Sequence, residues 1–115
     1  MFPDRPAPKL VELVVEAERA GLDEFWIGDE GPAREPFTVL AGAATITDSI
    51  VLGVGITNPY IRPPALAATT ALTIHELSGG RCVLGVGAGG QLSLAPLELE
   101  ARRPVTTIES FIKTA

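Results

Sequence analysis

The sequence predicts an α/β fold with a parallel sheet, and more narrowly a partial (β/α)8 TIM barrel. Two observations lead there. The five residues Val51 to Gly55, VLGVG, return unchanged at Val83 to Gly87, thirty-two positions later. Between the copies lie a Pro63-Pro64 start, an Ala-, Leu- and Thr-rich helical stretch and a Ser78-Gly79-Gly80 stop. One unit therefore reads strand, loop, helix, turn, strand. The second observation is compositional: mean hydropathy is +0.30, yet aromatic residues make up only 5%. The apolar excess is Ala, Val, Leu, Ile and Gly, which suits parallel strands covered on both faces.

The elements follow in order. From Pro8 to Ala20, residues Leu10, Leu13, Val14, Ala17 and Ala20 recur at helical spacing, with Lys9, Glu12, Glu16 and Arg19 largely on the opposite side. Gly21 then fits a helix C-terminal cap. Phe25-Trp26-Ile27-Gly28 reads as a short strand ending at the acidic pair Asp29-Glu30. A second helix is predicted from Glu35 to Asp48 on the pattern Phe37, Leu40, Ala41, Ala44. Ser49 opens a second strand that runs to about Thr57, and Pro63 to Leu77 forms a third helix. Arg81 to Gly87 is the third strand, and a fourth helix starts near Pro104.

Three parallel strands leave two apolar edges without partners, a state that invites pairing with another chain. Units of about 26 to 32 residues, taken eight times, give roughly the 250 residues of a (β/α)8 barrel. The 115 residues are therefore expected to be an N-terminal part of one barrel domain, lacking the first strand and the C-terminal half. The partner expected on these grounds is a second copy, as a homo-oligomer, or the remainder of the barrel.

Composition excludes several classes. The longest apolar runs fall far short of the roughly 20 residues that span a bilayer, and the first helix lacks the apolar core of a signal peptide. A cytoplasmic protein without membrane attachment is expected. The net charge of -5 and pI near 4.8, with no Lys/Arg cluster, argue against nucleic acid as a partner. The single Cys82 reads as a small buried hydrophobe. With one histidine, His75, placed on a helix away from any strand end, no metal site is expected.

Chemistry in such folds gathers at the carboxyl ends of parallel strands. Three ends are available: Gly28-Asp29-Glu30, Gly55-Ile56-Thr57-Asn58-Pro59-Tyr60 and Gly87-Ala88-Gly89-Gly90-Gln91. At the first, a carboxylate either positions or protonates a ligand, or bonds to nearby backbone amides or an arginine. At the other two, glycine either lets the backbone approach a flat ring or a phosphate, or serves ordinary turn geometry. Gly85, Gly87 and Gly90 also satisfy G-x-G-x-x-G after a strand. A dinucleotide fingerprint must open a helix at once, whereas Gln91-Leu92-Ser93-Leu94-Ala95-Pro96 reads as loop. A Rossmann-type nucleotide binder is accordingly an alternative of low weight.

The run TNPYIRPPALAATTALTIHELSGGRCVLGVGAGG, from Thr57 to Gly90, resembles the luciferase-like monooxygenase superfamily. Leu77-Ser78-Gly79-Gly80-Arg81 followed by the VLGVGAG strand is typical of it. Thr57-Asn58-Pro59-Tyr60 is most similar to the deazaflavin-dependent branch that includes methylenetetrahydromethanopterin reductase. The resemblance implies a deazaflavin, coenzyme F(420), or FMN as cofactor, and hydride transfer between the reduced cofactor and a small organic substrate, with oxygen-dependent monooxygenation as the sister reaction. It implies a non-prolyl cis peptide at Gly55-Ile56 behind the cofactor ring. Thr57 and Asn58 would line the same pocket, and Gly87-Ala88-Gly89 would pass the cofactor through its backbone. Asp29 falls in the cofactor site, and Glu30 stands where the best-known members have a histidine near the reactive ring edge, which makes it the candidate catalytic residue. Pro63 stands where many members have a histidine after Arg62. The phosphate-bearing cofactor tail is held by later strands, so this chain alone is expected to bind cofactor poorly or not at all and to be inactive. A non-catalytic half-barrel that assembles with itself or a partner is the further alternative.

Overall fold

The computed structural model describes residues 3–30, 33–88 and 112–113. Its elements alternate: α1 (Ala7–Arg19), β1 (Glu24–Ile27), α2 (Pro36–Ala44), β2 (Val51–Thr57), α3 (Pro64–Leu77) and β3 (Cys82–Val86). The three strands form one parallel sheet in the order β1-β2-β3. Of the helix predicted from near Pro104, residues 112–113 are helical and the rest lies outside the described residues, as does Gly89.

Each helix has a local reason for its limits. Pro6 precedes α1 and Pro63 precedes α3, both in extended conformation, and a proline in the first turn loses no intrahelical bond. At the end of α1, Gly21 takes φ +85. Its N–H donates to the Glu18 carbonyl and Leu22 N–H to the Ala17 carbonyl, a Schellman closure. The same pair of bonds ends α3, from Gly79 N–H to Glu76 and Gly80 N–H to His75. Helix α2 opens under the Glu35 carboxylate, which accepts from Phe37 N–H and Thr38 N–H at 2.8 Å each. It stops at Ala44 rather than at Asp48. The β-branched run Thr45-Ile46-Thr47 follows, and Thr47 Oγ1 folds back to donate to the Ala43 carbonyl at 2.8 Å, which competes with helix propagation.

The three helices lie on one face of the sheet. α1 packs on α2 and α2 on α3. Leu10, Val14, Ile27, Phe37, Leu40, Leu52, Val54 and Ile74 meet there in one core. Leu52 and Val54 are fully buried, and each such side chain contributes about 1.5–3 kcal/mol of hydrophobic stabilisation. Sequential strand order with successive helices on the same side is the wall of a barrel. One half of a doubly wound sheet shares this order and one-sided cover, and the segment after Ala88, which a dinucleotide fingerprint requires to open a helix, lies outside the described residues.

The opposite face carries Trp26, Gly53 and Val83 at one level of the register. A methyl group at Gly53 would overlap the Trp26 indole, so the glycine makes room for the ring to lie flat over the neighbouring strand. At the amino ends of the strands, Arg81 ties the layers together. Its guanidinium donates to the carbonyls of Ser78 (2.6 Å), Ile50 (2.8 Å), Thr47 (2.8 Å) and Ala44 (3.2 Å) and to Thr47 Oγ1 (3.1 Å). Nearby, Glu18 of α1 accepts from the N–H groups of Asp48, Ser49 and Ile50 at 2.8–3.2 Å. The hydrogen bonds from Ser49 and Ile50 lower its pKa to about 2.

Candidate functional site

The carboxyl ends of the strands are shaped by an irregularity in β2. Val54 pairs with Leu84, and the next pair is Thr57 with Val86. Two residues of β2, Gly55 and Ile56, thus face one of β3, Gly85. This is a β-bulge, which bends the strand and re-aims its side chains, and the Gly55-Ile56 peptide within it is cis. Strict alternation would send Ile56 toward the helices with Leu52 and Val54. The extra residue instead leaves Gly55 and Ile56 both exposed and returns Thr57 to the buried side.

A flat surface results. Ile56 is 41% exposed and lies against Gly85 and Gly87, where an added methyl group at Gly87 would overlap Ile56 Cδ1. A methyl group at Gly55 would sit 2.9 Å from Trp26 Cε3. Trp26, Gly55, Ile56, Gly85 and Gly87 therefore pave one apolar floor. The twin VLGVG segments supply its glycines: the first beside Trp26, the second beneath Ile56. Gly87 N–H is spent on the Thr57 carbonyl at 2.9 Å, so what Gly87 offers a ligand is proximity rather than that donor. Ala88 follows it half-buried.

The acidic pair divides. Asp29 is 7% exposed and accepts at Oδ2 from Thr57 Oγ1 and Arg62 Nε, each at 2.7 Å, with a longer contact of 3.4 Å from Arg62 to Oδ1. The bonding to an arginine that the sequence left open is present. Its own N–H donates to the Ile56 carbonyl at 3.3 Å. Arg62 continues outward to Glu35 Oε1 at 2.7 Å and stacks its guanidinium 4.4 Å from the centroid of Phe37. Burial opposes the charge on Arg62, but Asp29 and Glu35 more than reverse it and hold its pKa above the ordinary value. Glu30 stays half-buried with its side chain folded back over Gly28, close enough that a methyl group there would lie 2.9 Å from Glu30 Cγ.

Thr57 and Asn58 are 0% and 1% exposed. Neither opens onto the floor as a lining group; both fix the backbone that forms it. Asn58 Oδ1 accepts from Tyr60 N–H (3.0 Å) and Ile61 N–H (3.2 Å), and the Asn58 carbonyl from Arg62 N–H (3.2 Å). These bonds wind the chain from β2 toward α3. Arg62, Glu35 and Phe37 were not among the site residues expected from sequence. The available signal was an arginine just beyond the strand-end tetrapeptide, close to two glycine- and acid-rich strand ends. His75 sits on α3, exposed, with Nδ1 3.3 Å from both the N and the O of Cys82; it braces the start of β3, far from the floor in sequence. Burial raises the Cys82 thiol pKa. Among the described residues no group of His, Cys, Asp and Glu could hold a metal ion, and no helix is long and apolar enough to cross a membrane.

A helix-backed parallel sheet with its irregular, glycine-paved end at the strand carboxyl termini is part of a (β/α)8 barrel. The chain belongs to the luciferase-like monooxygenase family, whose model matches residues 3–108. It is 36% identical over 110 residues to a 5,10-methylenetetrahydromethanopterin reductase of Methanolobus tindarius, covering 96% of this chain and 34% of that protein. The reductase of the same name from Archaeoglobus fulgidus is 37% identical over 111 residues, covering 96% and 33%. The chain thus spans about a third of the length of the curated relatives it matches. Among solved structures, the coenzyme F(420)-dependent tetrahydromethanopterin reductase of Methanopyrus kandleri superposes with a TM-score of 0.90 at 31% identity, over 98% of this chain and 37% of that one. An FMN-bound 3,6-diketocamphane monooxygenase component from Pseudomonas putida superposes with a TM-score of 0.80 at 20% identity, over 99% and 37%, a likeness of fold.

Proposed function

We propose that this chain supplies the early, cofactor-facing part of a deazaflavin- or flavin-dependent oxidoreductase that moves hydride between reduced cofactor and a small organic substrate. The observation that carries the reading is the bulge in β2, which turns Gly55 and Ile56 onto an apolar, glycine-bare floor at the strand ends. The residues present fit the ring of such a cofactor. Gly55, Gly85 and Gly87 leave the surface around the Ile56 side chain free of other projecting groups, and the Gly87-Ala88 backbone runs beside it. Among the described residues, Arg62 beside the floor is committed to two carboxylates rather than offered to a phosphate-bearing tail. On this reading residues 1–115 are the N-terminal part of a larger barrel domain, and the tail is held by segments beyond the described residues.

When bound, the cofactor supplies the hydride chemistry, and the protein supplies orientation and exclusion of water. Asp29, Thr57 and Asn58 hold the floor's backbone, Ile56 presents its side chain to the ring, and Glu30, just beyond β1, is the residue proposed to handle a proton at its edge. Coenzyme F(420), named for the Methanopyrus kandleri reductase structure at 31% identity, is favoured over FMN, which is named for a structure at 20% identity, and the reading is a reductase acting on a small organic molecule. The test is titration of the full-length protein with F(420), FMN and NAD, followed by cofactor absorbance. Saturable binding of F(420) with anaerobic turnover supports a reductase. Turnover that requires oxygen transfers the reading to monooxygenation, and binding of NAD alone defeats it.

A further inference from the structure

We propose that Arg62 is a positioning residue for the cofactor floor, acting through Asp29 on the bulge of β2. This deepens the proposed function and rests on it. Asp29 grips two consecutive residues of the bulge at once: its N–H donates to the Ile56 carbonyl at 3.3 Å, and its Oδ2 accepts from Thr57 Oγ1 at 2.7 Å. A carboxylate buried at 7% exposure keeps that orientation only if its charge is answered. Arg62 answers it with Nε on Oδ2 and a terminal nitrogen on Oδ1.

Arg62 is itself fixed from three further directions. Its N–H closes the turn onto the Asn58 carbonyl, Glu35 at the start of α2 takes its other terminal contact, and Phe37 supports the guanidinium plane. The position of the floor is thereby tied to α2, through a residue that is not part of the floor itself. The fork geometry is what makes this possible: a lysine offers one point charge and could not bond Asp29 and Glu35 in one plane.

The experiment compares Arg62→Met and Arg62→Lys with Arg81→Met in the full-length protein. The Arg81 side chain makes five hydrogen bonds against three for Arg62, but at the amino ends of the strands. Hydrogen exchange is followed at the Asp29, Tyr60, Ile61 and Arg62 amides, with α1 amides as the internal reference, and dissociation constants are measured for F(420) and FMN. Both Arg62 variants are expected to expose these amides and to weaken cofactor binding by about tenfold or more, as misplaced binding groups do. Arg81→Met is expected to lose stability while binding within twofold of the parent. Unchanged exchange at those amides overturns the inference, as does equal loss of affinity in Arg81→Met. If the parent binds neither cofactor, the proposed function fails separately, and the exchange measurement alone decides whether Arg62 holds the bulge.

Discussion

Arg81 offers the sharpest test of what holds the sheet to its helices. Replacing it with methionine keeps most of the aliphatic stem and removes a guanidinium that makes five hydrogen bonds to four residues. The acceptors belong to three separate segments: the end of α2, the entry to β2 and the turn after α3. Each net hydrogen bond is worth about 0.5–1.5 kcal/mol. Arg81 is only partly buried, so water replaces some of what is lost. A destabilisation of about 2–4 kcal/mol follows for Arg81→Met. Arg81→Lys keeps the charge but not the rigid fork, and regains less than half of the loss. The measurement is urea unfolding followed by the fluorescence of Trp26, the chain's one tryptophan, read as a shift in midpoint at constant slope. A loss below about 1 kcal/mol for Arg81→Met would refute the argument, because it would mean that solvent serves these carbonyls as well as the arginine does.

Three further predictions concern other parts of the chain. Gly53→Ala places a methyl group in the Trp26 indole, and overpacking of this kind costs about 1–3 kcal/mol; denaturation and a displaced Trp26 emission maximum check it. Thr57→Val keeps the side-chain shape but removes the 2.7 Å bond to Asp29 and leaves a buried carboxylate oxygen with one donor fewer, at a cost of about 1–3 kcal/mol. Glu18 has its pKa lowered from 4.5 to about 2 by the backbone N–H groups of Ser49 and Ile50, so the folded state prefers the carboxylate. Its contribution is complete above about 4.5 and disappears as pH falls toward 2. Melting temperature against pH should therefore fall less steeply through that window in Glu18→Gln than in the parent, and parallel curves would count against the capping role.

The reasons for what could and could not be read from sequence differ from residue to residue. Strand and helix order was legible because periodicity and punctuation are local: Gly21 and Gly79-Gly80 close helices at the positions their spacing suggested. The end of α2 was misjudged by four residues because the apolar pattern runs on through Ile46, while the bond from Thr47 Oγ1 to the Ala43 carbonyl that accompanies the stop leaves no mark in that pattern. The role of Asp29 was undecidable, since its partner Arg62 lies 33 residues away and only folding brings β1, β2 and the loop before α3 together. The same holds for Arg81, visible in sequence as part of a motif but without a reason until the carbonyls of α2 and β2 converge on it. Identical VLGVG segments meet different neighbours for the same cause. Parallel pairing sets the first beside Trp26 and the second beneath Ile56, so identity of sequence there reflects a shared need for absent side chains rather than a shared contact. If Arg62 positions the floor through Asp29 as proposed, substitutions at Arg62 and Glu35 should disturb it more than their distance from it in sequence suggests.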